Sequence, residues 1–152
     1  MANTYHQLYI QIVFAVKGRN SFIKETFREE LQKYMAGIIA AKNQKLYAIY
    51  CMPDHAHLFV SINPDMSISK LTGEIKSNSS RFLKEKGFLN KFDWQEGFGA
   101  FSYSKSQAPK VVQYILNQPE HHKKQTFREE YLQFLDMFGI EYDEKYLFEF
   151  YD

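Results

Sequence analysis

The chain has 152 residues, of which 45% are hydrophobic and 24% charged, and it carries a net charge of +1. That length suits one domain with its own core, and the charge excludes a global basic field as the means of attracting nucleic acid. No apolar run is long enough to span a bilayer, no signal-peptide pattern opens the chain, and the single Cys51 has no partner within it, so a cytoplasmic protein without disulfides is expected.

Tyr5 to Val16 is rich in aromatic and β-branched residues and predicts a first strand. Thr26 with Glu29 reads as a capping box opening a helix to about Ala41, with Phe27, Leu31, Tyr34, Met35 and Ile38 at helical spacing. Lys45 to Met52 and His55 to Ile62 predict two strands joined by a Pro53-Asp54 turn. A second helix runs from Ser67 to about Lys86 and is stopped by Gly87. Phe98 to Tyr103 predicts a fourth strand, and Ser104 or Ser106 caps a third helix to about Gln118, before Pro119. Thr126 with Glu129 is a second capping box, opening a helix that ends near Gly139.

The order β-α-β-β-α-β followed by helices predicts an α+β, ferredoxin-like antiparallel sheet. The expected layout is a single domain over 1–152. Its core covers about 1–104, the third helix about 105–118, and a C-terminal helical appendage about 126–152. Such a fold hosts many functions, so chemistry has to be read from particular residues.

His55-Ala56-His57 opens the third strand. Residues two apart on a strand share a face, so both imidazoles can reach one metal ion. Two ligands hold an ion weakly, and a third has to come from elsewhere. Tyr114 and Gln118 lie four apart on the third helix, and so on one face of it, with Val111, Ile115 and Leu116 directed to the core. A glutamine carbonyl can ligate a hard cation, and a tyrosine hydroxyl beside a metal-bound phosphate can act as nucleophile. The adjacent His121 and His122 cannot share a helix face, and a surface role is expected for them.

Charge is unevenly spread. Between Met66 and Lys91 six basic residues stand against two acidic ones, whereas from Glu129 to the end eight acidic residues stand against one lysine. The basic stretch, with Trp94 just beyond it, makes Lys70, Lys76, Arg81 and Lys84 candidate DNA contacts, with His122 a candidate for phosphate. Aromatics make up 17% of the chain, and they fit either a ring-rich core or stacking on bases. Those interleaved in the acidic stretch predict a packed appendage.

Together these residues resemble a known family. The run Tyr50-Cys51-Met52-Pro53-Asp54-His55-Ala56-His57-Leu58-Phe59-Val60 is similar to the signature strand of the HUH single-tyrosine transposases of bacterial and archaeal insertion sequences. Gly99 to Ser102, and Tyr114 through Gln118 to Lys123, resemble the segment around their tyrosine-bearing helix. The resemblance implies a DNA transposase that cuts and rejoins single-stranded DNA, folded into hairpins at element ends, through a 5′-phosphotyrosine. It implies Tyr114 as nucleophile and His55, His57 and Gln118 as ligands of Mg²⁺ or Mn²⁺. It also implies a homodimer whose active sites are shared between chains. Ala56 departs from the usual bulky residue between the histidines, and Pro119 either aims Gln118 at the metal or displaces it. Two other readings stay open: a relative that binds hairpin DNA without moving it, and a ferredoxin-like binding domain with incidental histidines.

Overall fold

The computed structural model describes residues 4–151. Strands β1 (Tyr9–Ala15), β2 (Lys45–Cys51), β3 (His55–Ser61) and β4 (Gly99–Tyr103) form one antiparallel sheet in the order β2-β3-β1-β4. Helix α1 (Glu25–Ala41) links β1 to β2, and α2 (Ile68–Glu85) links β3 to β4. Each crossover spans an intervening strand, which is the split β-α-β topology expected from the sequence.

Side chains alternate across a sheet, so each strand serves two layers. Ile12, Leu58 and Val60 pack with Leu31 and Met35 of α1 and with Leu71 and Ile75 of α2. Gln11 and Val13, paired with Phe59 and His57, face the other way. That second face is covered by α3 (Ala108–Leu116), the one-turn α4 (Gln118–His121) and α5 (Phe127–Met137). Phe59 packs there against Val111 and Ile115, and Phe101 stacks on Phe134 with ring centroids 5.1 Å apart. In the acidic C-terminal segment Phe134, Phe148 and Phe150 pack against the core, whereas Tyr142 and Tyr146 stand 49% and 81% exposed. Phe148 lies 4.8 Å from Tyr131, and the Tyr151 hydroxyl accepts a hydrogen bond from the Gly18 amide at 2.6 Å.

The structure corrects several local expectations. The first strand starts at Tyr9 rather than Tyr5, because its partners end at Ser61 and Tyr103; Tyr5 stands 92% exposed. Thr26 does not cap α1. Ile23 is pinned by its amide to the Pro53 carbonyl at 2.8 Å, Lys24 takes the extended N-cap conformation, and Thr26 falls inside the first turn. The same five residues, Thr-Phe-Arg-Glu-Glu, do form the reciprocal capping box at Thr126 and Glu129. Leu116 is 53% exposed rather than in the core, since one residue past buried Ile115 turns it about 100° away from the sheet. The third helix also ends early. Asn117 leaves helical geometry, and Pro119 sits in the first turn of α4, where it needs no amide hydrogen.

One glycine is dictated by α5. A Cβ on Gly99 would lie 2.8 Å from the Tyr131 hydroxyl oxygen. Tyr131 is 6% exposed and flanked by Phe101, Phe127 and Phe148, so it cannot swing aside freely. Gly99→Ala is expected to destabilise the protein by about 1–3 kcal/mol through overpacking, read as a lowered urea midpoint with an unchanged slope.

Candidate active site

The alternation of β3 places His55 and His57 side by side on the face that α3, α4 and α5 cover, both fully buried. The break at Asn117 turns Gln118 inward, where it too is fully buried. α4 carries His122 at its C-cap, and α5 carries Glu130 one turn in from Thr126. Nitrogen and oxygen atoms of His55, His57, His122 and Glu130 all lie within 4.8 Å of one another.

The imidazoles are oriented from behind. His55 Nδ1 donates to Asp54 Oδ1 at 2.7 Å, and His122 Nδ1 donates to the Gln125 carbonyl at 2.8 Å. His57 Nδ1 lies 2.7 Å from Gln11 Oε1, and Gln11 Nε2 is committed to the Tyr103 hydroxyl at 2.9 Å, so His57 is the donor. All three rings therefore turn Nε2 inward. His57 Nε2 is 3.0 Å and His122 Nε2 3.2 Å from Glu130 Oε1, and His55 Nε2 is 3.2 Å from Gln118 Oε1. The other Glu130 oxygen accepts from Gln118 Nε2 at 2.8 Å and from the Tyr114 hydroxyl.

With the protons held on Nδ1, three Nε2 lone pairs face a carboxylate and an amide oxygen. Acceptors cannot satisfy one another, so positive charge belongs among them, as protons or as a metal cation. The donor chemistry thus fits a divalent ion, and partners on the outer nitrogens are what metal-binding imidazoles require. Burial works against charge on Glu130, but His57, His122 and His55 outweigh it and hold the carboxyl far below its ordinary range. Burial also lowers His57, with Glu130 opposing, whereas for His55 the bond to Asp54 and the nearby Glu130 overcome burial and raise it to about 9. Burial, then the Glu130 charge, push the Tyr114 hydroxyl above its usual range, so it is neutral near pH 7.

A cleft of about 270 Å³ between α3 and α5 reaches Tyr114 and Glu130 from outside. Val111, Phe134 and Met137 give it apolar walls, and exposed Lys110 stands at its rim.

The residues singled out in the sequence divide into two sets. Tyr114, His55, His57 and Gln118 are brought together, all within a single chain. His122 joins them rather than the surface, because α4 turns it inward, while His121 lies against the Tyr114 ring, tilted to it, with centroids 4.3 Å apart. Glu130 was missed altogether, masked by its place in an acidic stretch. Lys70, Arg81 and Lys84 are exposed on α2, on the opposite side of the sheet from the cluster. Lys76 is different: its ammonium donates to the Gln95 and Gly97 carbonyls at 2.9 and 2.6 Å and clamps the loop before β4. Trp94 is buried, with Nε1 donating to Ser79 Oγ at 3.0 Å, and offers no exposed ring to a base.

Comparison with known proteins shows what the whole chain is similar to. The sequence model of the IS200-like transposases matches residues 4–118. The transposase for insertion sequence element IS200 of Salmonella typhimurium is 29% identical over 129 residues, covering 81% of this chain and 84% of that protein. The ISDra2 transposase TnpA of Deinococcus radiodurans is 24% identical over 120 residues, covering 74% and 85%. Among solved structures, a REP-associated tyrosine transposase bound to a REP hairpin shares the fold with a TM-score of 0.59 at 18% identity, covering 80% of this chain and 73% of that one. His122 and Glu130 lie beyond the residues that the family sequence model matches.

Proposed function

Since this chain belongs to the IS200-like transposase family, we propose that it cuts and rejoins single-stranded DNA with Tyr114 as nucleophile. The observation that carries this reading is the convergence of Tyr114, His55, His57 and Gln118 from separate elements onto one buried cluster. A domain with incidental histidines has no reason to orient each ring through its outer nitrogen and face them all to one carboxylate.

In this reading the Tyr114 oxygen attacks a phosphorus of the DNA backbone. The bond to the 3′ oxygen breaks, leaving a 5′-phosphotyrosine and a free 3′-hydroxyl. The phosphotyrosine retains the energy of the broken bond, so a 3′-hydroxyl of another strand can reverse the step, and no external energy source is needed. His55, His57 and Gln118 would hold a divalent ion, Mg²⁺ or Mn²⁺ on the resemblance to the family, which supplies charge neutralisation at the scissile phosphate. Glu130 fixes the direction of the Tyr114 hydroxyl. In this reading the cleft beside it would receive the strand, with its apolar walls available to a base and Lys110 at the rim available to a phosphate.

Hairpins at element ends are the proposed substrate, and α2 a proposed contact for them. Because α2 lies behind the sheet, its cations would touch DNA away from the scissile phosphate. Replacing Lys70, Arg81 and Lys84 together with Ala is expected to weaken binding and to flatten its salt dependence by roughly 0.7 in log–log slope for each phosphate left without its cation. An unchanged slope removes α2 from the interface. Lys76→Ala is the informative contrast, since it should loosen the 95–97 loop rather than alter the slope.

The proposed reaction is tested by a covalent-adduct assay. Labelled single strands tiled from DNA flanking the gene are incubated with protein and Mg²⁺ or Mn²⁺, then run on a denaturing gel. A protein–DNA band with one strand, absent with its complement and with duplex, is the expected result. No band with any strand would turn the reading toward a hairpin-binding protein.

A further inference from the structure

We infer that His122 and Glu130 are metal ligands, which makes this centre a three-histidine, one-carboxylate site for a first-row transition ion rather than a Mg²⁺ site. The inference rests on the reading of His55 and His57 as ligands and extends it to residues beyond the matched family region. Geometry supports it. The Nε2 atoms of His57 and His122 lie 3.0 and 3.2 Å from the same Glu130 oxygen, and that of His55 lies 3.4 Å from it. The Nδ1 of every ring is already bonded to an oxygen, so each Nε2 is left as an inward-facing donor to a cation.

Ligand chemistry then sets the ion. Mg²⁺ favours oxygen ligands in a near-ideal octahedron and keeps several waters. A cluster with three imidazole nitrogens within a buried pocket offers few oxygens and little room for that shell. Imidazole suits Zn²⁺, Co²⁺, Ni²⁺ and Fe²⁺, and affinities of such sites rise along the first row. Gln118, 2.9 Å from His122 Nε2 and 2.8 Å from Glu130, stands at the edge of this set and can add one oxygen. The second oxygen of Glu130 keeps the Tyr114 hydroxyl, so one carboxylate couples the ion to the nucleophile.

The test needs no DNA. The full chain is stripped with chelator, and its thermal unfolding is followed with Zn²⁺, Co²⁺ or Mg²⁺ alone at equal concentration. Visible absorption of the Co²⁺ form serves as a second readout. Zn²⁺ and Co²⁺ are expected to raise the midpoint and Mg²⁺ to leave it near the stripped value. His122→Asn and Glu130→Gln should weaken Co²⁺ binding by about tenfold or more and change its spectrum, whereas His121→Asn, outside the cluster, should bind as the parent does. Equal stabilisation of the parent chain by Mg²⁺ overturns the inference without any variant, and so does a His122→Asn protein with the parent's Co²⁺ affinity and spectrum. A DNA adduct formed by a protein that fails these metal tests leaves the proposed reaction standing. Selective transition-metal binding with no adduct reverses that outcome.

Discussion

Tyr114→Phe is expected to abolish the covalent protein–DNA product, lowering its rate at least about a thousandfold, while the protein remains folded. The expectation is specific to this hydroxyl. Of the tyrosines near the cluster, Tyr103 has its oxygen bonded to Gln11 Nε2, and Tyr131 turns its oxygen toward Gly99. Among the tyrosines of the described residues, the Tyr114 hydroxyl alone bonds Glu130, and its ring lies 6.1 Å from that of His57. Losing the hydroxyl removes one donor from Glu130, which keeps His57, His122 and Gln118, so the cost to stability is about 1 kcal/mol and the fold survives. The variant's adduct band is compared with the parent's at matched concentration, beside thermal unfolding of each. A band that persists in Tyr114→Phe would sink the assignment and point to Tyr103, which lines the same cleft.

The parts of this site legible in the sequence were those set by short-range geometry. His55 and His57 share a face because a strand has period two, and the hydrophobic runs around them place that strand in the middle of a sheet. The order of elements followed from periodicity and turn residues, and with it the split topology. Gln118 was legible in position but not in cause. It reaches the cluster because the helix breaks at Asn117, not because it shares an unbroken helix face with Tyr114. Glu130 needed a long-range contact that composition concealed. Its neighbours Glu129, Asp136 and Glu141 are solvent-facing, so it read as one more charge in an acidic tail. A signal did exist: Phe127, Glu130, Tyr131 and Phe134 follow helical spacing, and all are buried, so Glu130 lies on the apolar face of its helix. A carboxylate there has to be paired, and a histidine cluster is a natural partner. The same reasoning separates His122 from His121, although the sequence alone does not say which of the two turns inward. On α2 the opposite error arose, because a basic composition does not reveal that Lys76 is committed to backbone carbonyls or that Trp94 is buried.

Mixing two inactive variants, His57→Ala and Tyr114→Phe, is expected to restore no adduct at any ratio. The resemblance to single-tyrosine transposases implied sites shared between chains, with the tyrosine helix of one protomer serving the histidines of another. In this chain the cluster closes on itself. Tyr114 is fastened to Glu130, and Glu130 is fastened to the His57 and His122 of the same chain. Gln118 follows Tyr114 by four residues, across the break at Asn117, and is buried in that cluster, so exchanging α3 would carry Gln118 and α4 with it. Such a swap must first break the Glu130 contacts and lift α5 from Phe101, where Phe134 stacks. The packing of the appendage therefore opposes exchange. The measurement uses a size-tagged His57→Ala protein, which alone carries the tyrosine, so that a band at the tagged position identifies its donor. A tagged band that grows as the Tyr114→Phe protein is added would show Tyr114 of one chain working with His57 of another. The cis cluster would then be a resting arrangement, with release of α5 a step on the way to the active dimer.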